Sequence, residues 1–324
     1  MPRTGIYLRF LPESRKRSHK VKNLIVVVGP TAVGKTNVAI ALSQKFDIPV
    51  INADSRQLYR ELPIGTAAPT EEEQKAAKHY FVGIKELDDY YSASMYEQDV
   101  MRLLEENLYK TSDTALMCGG SMMYIDAVCN GIDDIPTIDS DIRESLKKRY
   151  EEEGLDRLLS ELKLLDPEYY KEVDMKNPRR VIHALEVCYQ TGRRYSSFRL
   201  GDNGKKNAQH RPFRIIKIGL TLPRTELFER INKRTENMMD NGFLKEAESV
   251  YPKRHLNALN TVGYKELFSF FDGTMSIRDA IKRIQKNTRV YAKKQMTWFK
   301  KDEDIKWFSP SDVTGIVNYI KDYD

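Results

Sequence analysis

The segment of this chain that most restricts its fold lies close to the N-terminus. Residues 29–36 read G-P-T-A-V-G-K-T and match the pattern G-x-x-x-x-G-K-[ST] of a phosphate-binding loop. The apolar run 24–28 comes directly before this loop, and a stretch with Val38, Leu42 and Phe46 on one helical stripe follows it. A strand, a glycine loop and a helix in this order direct free backbone N–H groups toward an anion. These flanking elements favour a phosphate site over a chance glycine-rich turn.

Two side chains at the end of this glycine loop predict what it binds. Lys35 is placed to reach the outer phosphate oxygens, and the Thr36 hydroxyl is placed to bind Mg²⁺, as in ATP-binding proteins. We therefore expect a di- or triphosphate as the ligand. The candidate contacts are Gly29, Pro30, Thr31, Ala32, Val33, Gly34, Lys35 and Thr36.

Three further apolar runs predict buried strands, at residues 48–53, 114–118 and 214–220. Helical stretches separate these runs, which indicates an α/β fold: a P-loop NTPase-like parallel sheet with helices on both faces. Active groups in such sheets gather at the carboxyl ends of the strands. The glycine loop, Asp54 and Ser121 each follow a run, so we expect them on one rim.

Residues 132–200 have a different character, since they are charged, helical in pattern and free of apolar strands. We predict that they form an all-helical insertion, entered through Pro136 and left through the polar stretch 201–204. The chain then divides into three parts: a basic leader at 1–21, a core with C-terminal helices at 22–131 and 201–324, and the insertion.

Positive charge is concentrated in two segments. The net charge is +6, and residues 1–22 alone hold seven Lys or Arg residues against Glu13. We expect this leader to be a disordered arm or to precede the true start codon, and an organelle transit peptide is the alternative. The second segment, residues 278–301, holds nine Lys or Arg residues against Asp279.

The second segment also has a helical period. Apolar and small polar residues recur at steps of three and four, which predicts one buried stripe of a long helix beside a cationic face. A solvated basic face is the plain alternative, but so one-sided a face suits a polyanion better. The stripe consists of Ile277, Ile281, Ile284, Thr288, Tyr291, Gln295 and Trp298.

The composition argues against several classes of protein. No apolar run approaches the length of a membrane span, and the leader lacks the apolar region of a secretory signal. Cys118, Cys129 and Cys188 have no C-x-x-C spacing and are predicted to be small buried residues in a reducing compartment. We therefore expect a cytoplasmic protein without membrane contact.

Six motifs, taken in order, resemble one known family. They are residues 29–36, N-A-D-S-R-Q-L-Y at 52–59, G-G-S-M-M-Y at 119–124, 177–187 with Thr191-Gly192, V-G-Y-K-E at 262–266, and 288–299. Together they resemble the bacterial tRNA dimethylallyltransferases, or isopentenyl-tRNA transferases, from about Lys22 to Trp307. Six ordered motifs are far more specific than the glycine loop alone.

The resemblance implies a reaction. A dimethylallyl group would pass from dimethylallyl diphosphate to N6 of adenosine 37, beside the tRNA anticodon, giving N6-dimethylallyladenosine. The glycine loop would then hold the diphosphate leaving group, with Mg²⁺ as cofactor. The target base would leave its stack and enter a channel through the core. The implied partners are the tRNA anticodon stem-loop and dimethylallyl diphosphate, and the implied state is a monomer.

The resemblance also implies roles at the rim. The matching aspartate is the family's base, which makes Asp54 the candidate, with a helix cap or a water-mediated Mg²⁺ contact as the alternative. Ser121 stands where the family has threonine, and its hydroxyl would bond substrate or merely cap a helix. Arg230 and Arg234 match the pattern R-I-x-x-R. One of them would contact the diphosphate. We assign Arg230 a catalytic role and Arg234 a diphosphate contact. A surface ion pair is the alternative for either.

A larger set of residues is implied to hold the anticodon stem-loop. Lys and Arg would bind phosphates, and polar or aromatic groups would read splayed bases. His183 replaces the family's arginine, which would weaken one contact. The set is Asp54, Ser55, Arg56, Gln57, Ser121, Arg143, Arg179, Arg180, Val181, Ile182, His183, Asn260, Thr261, Val262, Gly263, Tyr264, Lys265, Thr288, Arg289, Val290, Tyr291, Ala292, Lys293, Lys294 and Gln295.

Three other functions share parts of this pattern. A small-molecule kinase explains the loop and the sheet but leaves the cationic segment 278–301 without a purpose. An adenylate isopentenyltransferase would act on free AMP or ADP and is expected to lack the full RNA-binding set. A non-catalytic or ATP-driven RNA-binding protein would lose nothing when Asp54 is removed.

Overall fold

A parallel sheet forms the centre of the protein. A computed structural model describes residues 21–132, 135, 138–199 and 211–323. Within these residues the strands are β1 (Asn23–Val28), β2 (Val50–Asn52), β3 (His79–Tyr80), β4 (Thr114–Cys118), β5 (Arg214–Leu220) and β6 (Lys306–Phe308). They pair in the order β3-β2-β4-β1-β5-β6, and every pairing is parallel. The predicted parallel sheet is confirmed, and the short edge strands β3 and β6 are additions that no apolar run indicated.

Both faces of the sheet are buried. Along β1, Ile25 and Val27 belong to one hydrophobic cluster, whereas Leu24 and Val26 belong to another. All four side chains are fully buried. A continuous apolar run is what a strand covered by helices on both sides requires.

Helices cover both faces and extend beyond the sheet. After the glycine loop comes α1, and two helices precede β4, the second of which continues through a π-helical segment to Thr111. The cationic segment forms α12, the longest helix in the described part of the chain. The helices are α1 (Lys35–Phe46), α2 (Glu71–Ala76), α3 (Ala93–Leu103), α4 (Met122–Asn130), α5 (Ser140–Glu153), α6 (Leu155–Leu165), α7 (Pro167–Glu172), α8 (Pro178–Thr191), α9 (Arg224–Asp240), α10 (Phe243–Val250), α11 (Tyr264–Phe271), α12 (Ile277–Phe299) and α13 (Val313–Lys321).

Helices α5 to α8 pack around a hydrophobic cluster of their own. Asp166 and Asn177 accept backbone hydrogen bonds at the starts of α7 and α8, and each helix has proline in its first turn. The predicted entry at Pro136, the exit at 201–204 and leader residues 1–20 lie outside the described residues. The cluster consists of Leu146, Leu158, Leu162, Tyr169, Val173, Val181, Ala184 and Leu185.

Two further expectations concern burial and membranes. All three cysteines are buried, as predicted. Burial raises the pKa of the Cys118 and Cys129 thiols to about 12, so both stay protonated near neutral pH. Among the described helices, none combines the length and the apolar character that a bilayer crossing needs.

Candidate active site

Three loops meet at the carboxyl edge of the sheet. The glycine loop leaves β1, residues 53–57 leave β2, and residues 119–121 leave β4. Backbone hydrogen bonds join the last two, from Ala53 N to Cys118 O (2.8 Å) and from Ser121 N to Ala53 O (3.1 Å). The predicted rim is therefore present, with Asp54 and Ser121 in the loops that follow the neighbouring strands β2 and β4.

The glycine loop has a backbone conformation that suits a phosphate group. Gly34 has a φ of 108° directly before α1, in the left-handed region that favours glycine. The first turn of α1 begins at Lys35, and its N–H groups have no partners within the helix. The helix dipole adds a partial positive charge at the same place. This end of the loop can therefore hold an anion.

Lys35 folds back over the loop that precedes it. Its Nζ donates hydrogen bonds to the carbonyl oxygens of Gly29 (3.0 Å) and Pro30 (2.8 Å). The pKa of Lys35 is lowered to about 8, mainly because of burial, with Arg234 acting in the same direction and Cys118 and Asp54 opposing it. The ammonium is thus poorly hydrated, so an anion beside it would interact strongly.

Asp54 lies in the turn that follows β2. Its Oδ1 accepts a hydrogen bond from the N–H of Arg56 at 2.9 Å. This turn is not the start of a helix, so the helix-cap alternative is wrong. The Asp54 charge acts on Lys35 and Arg234, and also on the phenol of Tyr291, whose pKa burial raises. The carboxylate therefore stands close to the cations of the phosphate site.

Ser121 joins two loops instead of capping a helix. It precedes α4 but makes no side-chain cap there. Its Oγ accepts a hydrogen bond from the N–H of Ser55 (2.8 Å) and donates one to Ser55 Oγ (3.1 Å). Gly119 is needed for this approach, because a side chain at that position would collide with the backbone of Ala53.

Arg230 and Arg234 both extend from α9 toward the glycine loop. Arg230 donates to Val33 O (3.4 Å) and to Glu226 Oε1 (2.8 Å), and 44% of its side chain is exposed. Arg234 is more enclosed and donates to Thr66 O at 3.2 Å. Burial lowers the pKa of Arg234, and the Asp54 and Glu73 carboxylates oppose that change. The surface ion pair foreseen as an alternative exists for Arg230, while Arg234 occupies the inner position.

The segment that carries Thr66 is fixed by Glu246, a residue that the sequence analysis did not single out. Glu246 accepts hydrogen bonds from the N–H groups of Ile64 and Gly65, both at 2.7 Å, and from the Tyr264 hydroxyl at 2.6 Å. A side chain on Gly65 would collide with Tyr264. Glu246 lies far away in sequence, so no local pattern could have identified it.

Helix α12 presents the predicted cationic face, with one correction to its buried stripe. Ile284 and Gln295 are buried, but Trp298 is 40% exposed and Phe299 is buried in its place. The Trp298 indole N–H donates to Asp126 Oδ2 at 2.9 Å, a polar partner that it finds at the surface. The prediction that Trp298 is buried is therefore wrong.

The residues implied to bind RNA divide according to burial. The side chains of Val181, Tyr264, Ala292 and Gln295 are buried, and Gly263 is buried with them, so this structure does not support direct side-chain contacts there. Ser121 is 8% exposed. The partly exposed ones are Asp54, Ser55, Arg56, Gln57, Arg143, Ile182, His183, Thr261, Val262, Thr288, Arg289 and Tyr291. The exposed ones are Arg179, Arg180, Asn260, Lys265, Val290, Lys293 and Lys294.

Two of the partly exposed residues share an acidic partner on α8. Arg143 Nε lies 3.6 Å from Glu186 Oε1, and His183 Nδ1 lies 3.3 Å from Glu186 Oε2. Glu186 is 6% exposed. This carboxylate was not singled out from the sequence, although it lies three residues from His183 on α8, a spacing at which helical neighbours meet.

The rim fits a magnesium ion of the kind that phosphate loops use. In the described part of the chain, no group of three or more His, Cys, Asp or Glu residues is placed to hold a metal ion. A phosphate-bound Mg²⁺ does not need such a group, because it takes one or two protein oxygens and completes its shell with phosphate and water. Thr36, in the first turn of α1, supplies a hydroxyl at the right place in the loop.

Comparison with known proteins agrees with this geometry. The IPP transferase family matches residues 57–302. The chain is 57% identical over 297 residues to tRNA dimethylallyltransferase 1 of Phocaeicola vulgatus. The alignment covers 92% of this chain and 97% of that relative. The chain is 31% identical to the tRNA isopentenylpyrophosphate transferase of Bacillus halodurans, whose crystal structure aligns with a TM-score of 0.67 over 94% of this chain and 96% of that one.

A third similarity supports the fold alone. The structure of a eukaryotic dimethylallyltransferase acting on tRNA aligns with a TM-score of 0.74 at 24% identity, over 90% of this chain and 75% of that one. The family match covers most of the chain, and the bacterial relatives align over nearly their full lengths. The chain therefore belongs to the IPP transferase family.

Proposed function

We propose that this transferase moves a dimethylallyl group from dimethylallyl diphosphate to N6 of adenosine 37 in tRNA, giving N6-dimethylallyladenosine. Its near relatives are named tRNA dimethylallyltransferases. One observation carries the proposal: Asp54 follows Ala53, whose backbone pairs with the loop after β4, and in that same loop a Cβ on Gly120 would lie 3.7 Å from Lys35 Nζ. A proton acceptor and a diphosphate site thus stand side by side, as prenyl transfer to an amine requires.

The glycine loop would hold the diphosphate. N–H groups at the start of α1, the Lys35 ammonium and the Arg234 guanidinium surround the place where negative charge develops as pyrophosphate leaves. Preorganised donors stabilise such a transition state without the cost of reorienting water. Arg230, which reaches the Val33 carbonyl from the outer side, would contact the same group. Magnesium, held at Thr36, would neutralise part of the diphosphate charge when bound.

Asp54 would act as the general base. The adenine N6 amine is a weak nucleophile because its lone pair is delocalised into the ring. As N6 forms a bond to the allylic carbon, the bond from that carbon to the diphosphate oxygen breaks, and an N6 proton passes to Asp54. A positioned base contributes about 10²–10⁴-fold to such a step. Ser121, bonded to Ser55 in the same turn, would place its hydroxyl beside the incoming base.

The RNA side of the proposal rests on exposed positive charge. Lys293 and Lys294 on α12 and Arg179 and Arg180 on α8 are exposed, and they would bind phosphates of the anticodon stem-loop. We include in the proposal the helical insertion at 132–200 as an RNA-contacting domain, base flipping through a channel to Asp54, a monomeric state and a cytoplasmic location.

The proposal is tested by incubating the protein with dimethylallyl diphosphate, Mg²⁺ and unmodified tRNA, followed by nucleoside mass analysis and mapping of the modified fragment. We expect dimethylallyladenosine at position 37, and no product after chelation of the metal. Product formed on free AMP instead of tRNA would make the protein an adenylate isopentenyltransferase. ATP turnover without prenyl transfer would make it a kinase or an ATP-driven RNA-binding protein.

A further inference from the structure

Gln295 connects the cationic helix α12 to two loops of the rim. Its side chain is 1% exposed. The Oε1 atom accepts a hydrogen bond from the N–H of Thr31 at 2.8 Å, and Nε2 donates one to the carbonyl oxygen of Gly120 at 2.9 Å. A single side-chain amide therefore bridges the glycine loop after β1 and the loop after β4.

The loop after β4 is shaped to receive this amide. A Cβ on Gly120 would lie 2.5 Å from Gln295 Nε2 and 3.7 Å from Lys35 Nζ. The glycine therefore leaves room for the amide directly beside the ammonium of the glycine loop. Because the amide both accepts and donates, only a side chain with an acceptor and a donor on one planar group can make both bonds.

We propose that Gln295 is a positioning residue for the diphosphate site and does not contact RNA, an inference that rests on the proposed function. By engaging the N–H of Thr31, the amide fixes the first half of the glycine loop, while the N–H groups at the start of α1 stay free for phosphate. By engaging Gly120, it sets the distance between that loop and the turn that holds Ser121. Two residues of the same helix, Lys293 and Lys294, face the outside, so one helix serves both substrates.

The test measures the affinity for pyrophosphate and the affinity for RNA in separate experiments. Gln295→Met keeps the length of the side chain and removes both hydrogen bonds. We expect its affinity for Mg²⁺-pyrophosphate, measured by calorimetry, to fall about tenfold, as the loss of bonds to buried groups predicts. Its affinity for an anticodon stem-loop should stay within about twofold of the wild-type value. Gln285→Met, on the same helix but remote from the rim, is the matched control and should change neither affinity.

Gln295→Glu adds a second measurement, the pH dependence of pyrophosphate affinity, which would not change if Gln295 only filled space in the core. A protonated carboxyl can accept from the N–H of Thr31 and donate to the carbonyl of Gly120, as the amide does. An ionised carboxyl places a second lone-pair oxygen against that carbonyl. The pyrophosphate affinity of this variant, relative to wild type, should therefore be lowest at neutral pH and recover as the pH falls. Gln295→Met should show no such recovery.

Each outcome decides the inference. If Gln295→Met binds RNA more weakly but binds pyrophosphate as well as wild type, Gln295 is an RNA contact. If neither affinity changes, the hydrogen bonds of Gln295 have no role in binding either substrate. If Gln295→Met unfolds, the pH series of Gln295→Glu decides, since a missing recovery would overturn the inference. These experiments measure binding and do not measure prenyl transfer. If the separate transfer assay shows no product while the binding results are as expected, the proposed function is refuted and this inference still stands.

Discussion

Gln57 and Arg234 donate hydrogen bonds to the same acceptor, the carbonyl oxygen of Thr66, each at 3.2 Å. Gln57 comes from the turn that follows β2, and Arg234 comes from α9. One carbonyl therefore fixes the inner guanidinium relative to the turn that also carries Asp54. Glu246 holds the neighbouring backbone N–H groups of Ile64 and Gly65, so this acceptor is itself held in place.

This arrangement predicts that Arg234 matters more for diphosphate binding than Arg230 does. Arg234→Gln should weaken Mg²⁺-pyrophosphate binding by about 10- to 100-fold, because a charged hydrogen bond to a poorly hydrated group is lost. Arg230→Gln should cost only a few-fold in affinity, since its partly exposed charge is screened and already paired with Glu226. Calorimetric titration of both variants decides between them, and a larger loss for Arg230→Gln would reverse the assignment.

A second prediction concerns the base. Asp54→Asn keeps the size of the side chain but removes the proton acceptor, so kcat for prenyl transfer should fall by about 10²–10⁴-fold. Affinities for the anticodon stem-loop and for pyrophosphate should change little. Single-turnover transfer assays and equilibrium binding measure the two effects separately. If kcat is unchanged while tRNA affinity falls, Asp54 acts only as an RNA contact.

The lowered pKa of Lys35 predicts how diphosphate affinity depends on pH. A diphosphate favours the charged ammonium, so affinity should begin to fall as the pH rises past about 8, where the free protein loses this proton. Lys35→Met has no proton to lose there, and comparison with it cancels the titration of pyrophosphate itself. The ratio of wild-type to variant affinity should therefore be constant below pH 8 and shrink above it. A ratio that does not change with pH would contradict this role of Lys35.

The same pKa has a consequence for stability, with a definite sign. Burial lowers the pKa of Lys35 from 10.5 to about 8, so between these values the unfolded chain holds a proton that the folded chain has lost. The unfolding free energy therefore gains a contribution as the pH rises through this window. Denaturant titrations at pH 7.5 and 10 should show a gain, relative to Lys35→Met, that is reduced when pyrophosphate is bound.

Local signals explain why the central strands and the rim could be predicted from sequence. Strands β4 and β5 have the predicted bounds because apolar residues predominate in each, although β5 contains Lys217 at its centre. The conformation of the glycine loop can be predicted locally, because Gly34 adopts a positive φ that favours glycine. By contrast, β3 and β6 have two and three residues, and both lie at sheet edges. Strand β3 pairs with β2, and β6 pairs with β5. These tertiary contacts, rather than a local sequence pattern, define the two short strands.

The contacts that organise the site are harder to predict for the same reason. The hydrogen bonds from the Gly65 N–H to Glu246 and from the Thr31 N–H to Gln295 join residues that are distant in sequence, and a single sequence carries no sign of such pairs. The family resemblance implies an RNA contact for Gln295, whereas the helical period places the same residue on the buried stripe. Its burial is a result of packing α12 against the rim, which the periodicity of the helix indicated but could not connect to the glycine loop.

The exposed lysines of α12 give the last prediction. Lys293 and Lys294 have exposed side chains, and a lysine that binds a phosphate releases a condensed counterion when RNA binds. Lys294→Gln should therefore weaken tRNA binding uniformly across sequences and reduce the slope of log affinity against log salt concentration by about 1. Lys45→Gln is the matched control, since this lysine lies at the end of α1, on the helix end remote from the glycine loop, and it should leave the slope unchanged. An unchanged slope for Lys294→Gln, with tRNA still modified, would place the RNA on a different face of the protein. Pyrophosphate affinity should be the same in both variants, because neither side chain reaches the rim.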